Sequence, residues 1–141
     1  MINQITLVLM AYFVGSLSFG IIISYFLKLS DPRTTGSRNP GATNVMRAGN
    51  KFAALLTLLG DMLKATLVIF VANHMGVTET HLVIISIAVL LGHIFPIYYG
   101  FRGGKGVATA LGILLGIHWL LALTVFSVWL CVFAIWRYSS L

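Results

Sequence analysis

Apolar positions along this chain fall into long blocks separated by short polar islands. Ile2 to Leu29, Phe52 to Asn73, Leu82 to Tyr99 and Val107 to Trp136 are the apolar runs. A helix needs about 20 apolar residues to cross a bilayer core, so each of the first three runs predicts one membrane span. The first run has no leading cation, and no small-residue cleavage site follows a short apolar core, so it reads as a retained span rather than a signal peptide. Gly15, Ser16, Ser18 and Gly20 cluster in it. Small residues let helices approach closely in lipid. Val107 to Trp136 covers 30 residues, or ~45 Å of helix, which is too long for one ordinary span. Two short spans turning near Gly116-Ile117-His118-Trp119 are expected instead. The chain is therefore expected to be an all-α, polytopic membrane protein, a single membrane domain over 1–141 with about five transmembrane helices.

Composition supports that class. Hydrophobic residues make up 59% of the 141 residues and charged residues 9%, against roughly 25% charged in soluble domains. The formal charge of +6 matters less than its distribution. Five of the nine Lys and Arg residues (Lys28, Arg33, Arg38, Arg47 and Lys51) lie in one loop, with Asp31 as its only acid. The positive-inside rule places that loop in the cytoplasm and Met1 outside. His74 to His81 carries no Lys or Arg and is expected outside. No basic–aromatic nucleic-acid surface is present. Cys131 stands alone in an apolar run, so neither a disulfide framework nor a thiolate metal site is expected.

Two polar islands carry candidate chemistry. The first is Gly36-Ser37-Arg38-Asn39-Pro40-Gly41-Ala42-Thr43-Asn44-Val45-Met46-Arg47. Pro40-Gly41 signals a turn, and Thr43 or Asn44 could cap the following helix. The remaining polar groups exceed what one turn and one cap require, which favours a ligand site over a plain connector. The second is Phe101-Arg102-Gly103-Gly104-Lys105-Gly106-Val107-Ala108-Thr109. Its glycines precede a helix, where free amides and the positive end of the helix dipole favour phosphate or carboxylate. Lys105 and Arg102 add full charges. The plainer alternative is a flexible inside loop with two topogenic cations. A full P-loop signature is absent.

Charged groups also sit inside spans. Asp61 and Lys64 are spaced to share one helix face, and each charge costs at least ~2.5–3.5 kcal/mol within a membrane segment. They read either as a structural ion pair locking helices or as a pair lining a polar cavity. His93 gathers with Pro96, Tyr98 and Tyr99 at the inner end of the third span. It reads as a hydrogen-bonded structural histidine or as a base, and no aspartate follows it in the spacing of the His-x4-Asp acyltransferase signature. Two anion sites on one membrane face suggest two phosphate-bearing reactants or one large one. With acids so scarce, phosphate binding is expected to rely on amides, Arg and Lys, with no metal and no cofactor.

The two islands, together with Gly92-His93 and Asp61-x-x-Lys64, resemble the bacterial acyl-phosphate:glycerol-3-phosphate acyltransferase family. The resemblance covers essentially the whole chain. It implies a polytopic inner-membrane enzyme that moves a fatty acyl group from acyl phosphate, not from a thioester, to glycerol 3-phosphate, giving lysophosphatidic acid and phosphate for phospholipid synthesis. The family has seven spans, and its last two spans and last loop lie beyond Tyr138-Ser139-Ser140 of this chain. Direct transfer without a covalent enzyme intermediate is expected. Lys105, Ser37, Arg47 and His93 are the expected catalytic residues. Asn39, Thr43 and Asn44 would join Ser37 and Arg47 around phosphate and glycerol, while Gly103, Gly104, Lys105 and Gly106 would hold the acyl-phosphate head. Gly36, Gly41, Thr109 and Ser140 complete the substrate-binding set, and Asp61 and Lys64 support it. The acyl chain would lie between helices in membrane lipid. A substrate phosphate oxygen is the first candidate base and His93 the second. An anion transporter and a non-catalytic membrane subunit are the rival readings.

Overall fold

The computed structural model describes residues 3–136, so Ser140 and Arg137 lie outside the described residues. All of the regular elements within them are helical: α1 (Gln4–Gly15), α2 (Phe19–Phe26), α3 (Ala42–Arg47), α4 (Lys51–His74), α5 (Glu79–Ile94), a 3₁₀ turn (Ile97–Tyr99), α6 (Val107–Ile117) and α7 (Trp119–Trp136). α4 is the hub, packing against α1, α2, α3, α5 and α6.

Small residues set the helix spacing. A Cβ placed on Gly92 would lie 2.2 Å from the Tyr12 carbonyl oxygen, and one on Gly15 would lie 2.2 Å from that of Val89. Gly112 on α6 meets the Met62 carbonyl of α4 in the same way, at 2.1 Å. Backbones in contact supply the dispersion that holds helices together where lipid is as apolar as the side chains. Large apolar side chains point outward instead, with Phe26 76% and Leu67 60% exposed. Among the described residues of α7 only Ala122 is buried.

The first apolar run is not one straight helix. α1 and α2 meet at a 45° bend, and the break strands backbone groups that lipid cannot solvate. The charges of α4 satisfy them. Phe19 N–H donates to Asp61 Oδ1 at 3.4 Å, and the Lys64 ammonium donates to the Leu17 carbonyl. The structural reading of the Asp61–Lys64 pair is therefore the one the geometry carries. Their side chains are only 3% and 2% exposed.

α4, α5 with its 3₁₀ turn, and α7 are each long and apolar enough to cross a bilayer, and the bent α1–α2 pair brings the number to four. The expectation of five spans is thus approximate. α6 has 11 residues, or about 16 Å, roughly half of the hydrocarbon core. The turn foreseen near Gly116–Trp119 is real. His118 adopts an extended conformation (φ −159°, ψ 116°) between α6 and α7, and α7 returns far enough for Trp129 and Phe133 to lie beside Val107 and Ala108 at the start of α6.

Helix caps differ in part from expectation. Thr43 and Asn44 lie within α3, whose N-cap is Gly41. Asn50 caps α4, its side chain accepting from Ala53 N–H at 2.8 Å.

Candidate active site

The polar islands meet at one end of the bundle, where α5 ends and α4 and α6 begin. The first island is held by Asn44, which is buried. Its Oδ1 accepts from Ser37 N–H at 3.0 Å, and its amide donates to Pro32 O at 2.8 Å and Thr35 O at 3.1 Å. Gly36 has φ +55°, and a Cβ there would strike Asn44 Oδ1 at 2.3 Å. Gly36 and Asn44 therefore build the loop, a role that their expected assignment as substrate contacts did not include. Asn39 Oδ1 accepts from Gly41 N–H at 3.1 Å and closes the turn around Pro40. A bidentate Asp31–Arg33 pair, closest at 2.7 Å, sits above Tyr99, with the guanidinium 5.6 Å from the ring centroid. The hydrogen-bonded Arg33 guanidinium holds the Asp31 carboxyl below the usual carboxylate range, with burial opposing it.

The second island is a backbone cap on α5 before it is anything else. Gly103 N–H donates to Ile94 O at 3.2 Å and Gly104 N–H to His93 O at 3.1 Å. These bonds satisfy carbonyls that a helix C-terminus leaves open. The expectation that both glycine amides face an anion is corrected accordingly. Their missing side chains matter for approach, since a Cβ on Gly103 would lie 2.0 Å from His93 O and one on Gly104 2.2 Å from His93 Nε2. The free donors lie one step on. The amides of Lys105 through Thr109 find no acceptor among the described residues. They open α6 behind Gly106, whose left-handed φ of 82° aims the turn.

The islands enclose a cavity of about 690 Å³ with two kinds of wall. Its lining combines polar residues (Ser37, Asn39, Thr43, Arg47, Lys51 and Lys105) with apolar ones (Leu55, Leu58, Val107, Trp129 and Phe133). Trp129 and Phe133 stack with centroids 5.6 Å apart. Three cations face this space, and the one acid on its wall, Asp61, is tied to Lys64 at 2.9 Å. Cationic side chains and two helix N-termini make the polar part attractive to phosphate.

Of the expected site residues, Ser37, Asn39, Gly41, Thr43, Asn44, Arg47, Asp61, His93, Lys105 and Gly106 reach the cavity. Thr109 does not serve it, since it is wholly buried and donates to the Asp61 carbonyl at 3.3 Å. Arg102 is exposed and lies off the cavity wall. Sequence reasoning missed Lys51, which it counted only as a topogenic cation, although it opens α4 just after the short break that follows Arg47. It also missed Trp129 and Phe133. Nothing local marks these, because only the His118 reversal brings them back.

Comparison with known proteins fits this geometry. A family model described as glycerol-3-phosphate acyltransferase matches residues 5–141. Glycerol-3-phosphate acyltransferases from Burkholderia ambifaria (strain AMMD) and Burkholderia orbicola (strain MC0-3) are each 50% identical over 133 residues, covering 94% of this chain. The chain spans 63% and 64% of the length of those relatives. Among solved structures, the glycerol 3-phosphate form of PlsY, an integral membrane glycerol 3-phosphate acyltransferase, superposes with a TM-score of 0.90 at 42% identity, covering 96% of this chain and 68% of that one. The lysophosphatidic acid form gives 0.88 at 41% identity, covering 96% and 67%. With half of its residues shared across nearly its whole length, and with the backbone of an integral membrane acyltransferase, the chain belongs to the glycerol-3-phosphate acyltransferase family.

Proposed function

We propose that the cavity transfers a fatty acyl group from acyl phosphate to glycerol 3-phosphate. The observation that carries this reading is the mixed wall, which joins the cations Arg47, Lys51 and Lys105 to the apolar Leu55, Leu58, Trp129 and Phe133. A molecule with a phosphate head and a long acyl chain matches both parts. Relatives solved in glycerol 3-phosphate and lysophosphatidic acid forms support the acceptor and the product. In the reaction a glycerol 3-phosphate hydroxyl attacks the acyl carbonyl carbon. The new ester C–O bond forms, the C–O bond to phosphate breaks, and the hydroxyl proton passes to a phosphate oxygen. Lys105 and the free amides opening α6 stabilise charge on the departing phosphate. Arg47, Lys51 and the Ser37 hydroxyl hold the acceptor.

Detergent-solubilised protein, given acyl phosphate and glycerol 3-phosphate, is expected to form lysophosphatidic acid without a sealed compartment. Anion flux into vesicles with no product in detergent would contradict the reading. Gly104→Ala is expected to lower turnover ~10²-fold with the helices intact, because its methyl occupies the position of His93 Nε2, and small misplacements near reacting groups are costly. Unchanged turnover would show that this contact does not matter.

The site is proposed to face the cytoplasm from the inner membrane of a bacterium. With Cys131, which is free, replaced by Ala, Arg38→Cys and Arg102→Cys are expected to react with impermeant reagents from the cytoplasmic side, and Thr78→Cys from the other. Reaction of the first two from opposite sides would exclude a common site.

A further inference from the structure

The buried ion pair has a third member, His93, to which neither the kink nor the acyl-transfer scheme above assigns a step. Lys64 Nζ lies 3.0 Å from His93 Nδ1. The same nitrogen is 2.9 Å from Asp61 Oδ1 and is bonded to the Leu17 carbonyl. An ammonium has three protons and no lone pair. Two of these contacts are to oxygens that can only accept, so the third proton points to Nδ1, and Nδ1 must accept it. A protonated Nδ1 would set two donors against each other at that distance. The competing contact, from His93 Nδ1 to Asp61 Oδ1, is longer at 3.5 Å. The ring proton of the neutral imidazole is therefore on Nε2.

Nε2 lies where a side chain on Gly104 would run into it, and His93 is one of the residues that line the cavity. It has no hydrogen-bond partner among the described residues, and it is not one of the sealed, unpartnered atoms of the interior. We propose that Lys64 is a positioning residue that fixes His93 as an Nε2–H donor, and that His93 donates into the cavity to a phosphoryl or carbonyl oxygen of the bound reactants instead of removing a proton. A histidine whose inner nitrogen is occupied by an ammonium and whose outer nitrogen already carries the proton has no free lone pair to act as a base. The proton of the attacking hydroxyl is then left to a substrate oxygen. The identity of the ligand oxygen rests on the acyl-transfer reading. The tautomer does not.

The test is nitrogen NMR of the chain in detergent micelles, with ¹⁵N-labelled histidine and His93 assigned by substitution. Nδ1 is expected to resonate as an unprotonated nitrogen and Nε2 as a protonated one, and glycerol 3-phosphate is expected to shift Nε2 more than Nδ1. Lys64→Met alone strands Asp61, so the informative variant removes both charges, Lys64→Met with Asp61→Leu. In it the tautomers are expected to mix while far-UV helicity is kept. In turnover, His93→Gln, whose side-chain amide can donate from the Nε2 position but cannot act as a base, is expected to stay within about ten-fold of the parent, while His93→Leu falls by ~10²-fold, as for loss of one preorganised donor. A protonated Nδ1, an unchanged tautomer after both charges are removed, or His93→Gln as inactive as His93→Leu would each overturn the proposal. A correct tautomer in a chain that forms no lysophosphatidic acid would leave the positioning by Lys64 standing and refute the acyl-transfer reading.

Discussion

Lys105→Ala is expected to fold and insert normally and to lose ~10²–10³ of lysophosphatidic acid formation, the usual effect of deleting one preorganised electrostatic donor. Lys105 is exposed on the cavity wall and forms no ion pair among the described residues, so stability has little reason to change. Lys105 directly precedes the unpartnered amides that open α6, where the proposed reaction would develop charge on the leaving phosphate. Lys105→Arg is expected to rescue poorly. The flanking Gly104 and Gly106 are both buried, and a planar guanidinium needs more room than a compact ammonium. Turnover measured beside a thermal unfolding curve decides the matter. Near-normal rates in Lys105→Ala, or a collapsed unfolding transition, would remove the role given to this loop.

The second large effect concerns stability. Asp61→Ala and Lys64→Met are each expected to destabilise by about 3–5 kcal/mol, because either leaves a buried charge without its partner. Each also strips a backbone group at the α1–α2 bend, Phe19 N–H in one case and the Leu17 carbonyl in the other. Lys64→Met combined with Asp61→Leu is expected to recover most of the loss, since replacing a whole buried pair with apolar groups is often close to neutral. Unfolding in detergent by denaturant measures all three. Single variants within about 1 kcal/mol of the parent would show that the bend does not depend on these charges.

Most of this architecture is legible in the sequence. The apolar blocks give the long helices, and a largely apolar run of 30 residues from Val107 to Trp136 forces a reversal, which His118 provides. The polar excess of the first island and the Gly/Lys pattern of the second suggest two anion sites on one membrane face, and the structure brings both islands to one cavity. What composition hides is the allocation of each polar group. Asn44 looks like a ligand contact, and it lies on the cavity wall, but its side chain is also what holds its own loop together. Thr109 looks like part of the phosphate loop and instead fastens α6 to α4. Gly103 and Gly104 look like amide donors to an anion, yet their amides are bonded to the end of α5. In each case a backbone group that must be satisfied away from water takes the polar side chain or amide first, and sequence spacing carries no record of that demand. The bend between α1 and α2 is hidden for the same reason, because its partners lie more than 40 residues away on α4.

The shared, two-part cavity is tested most directly by protection from thiol reagents. In a Cys131→Ala background, Ala42→Cys reports on the first island, Ala108→Cys on the second, and Phe133→Cys on the apolar wall, all three being cavity-lining positions. Saturating lysophosphatidic acid is expected to slow labelling at all three and to leave Thr78→Cys unaffected. Protection at only one island, or none at Phe133→Cys, would contradict a single cavity that holds phosphate at one end and the acyl chain at the other.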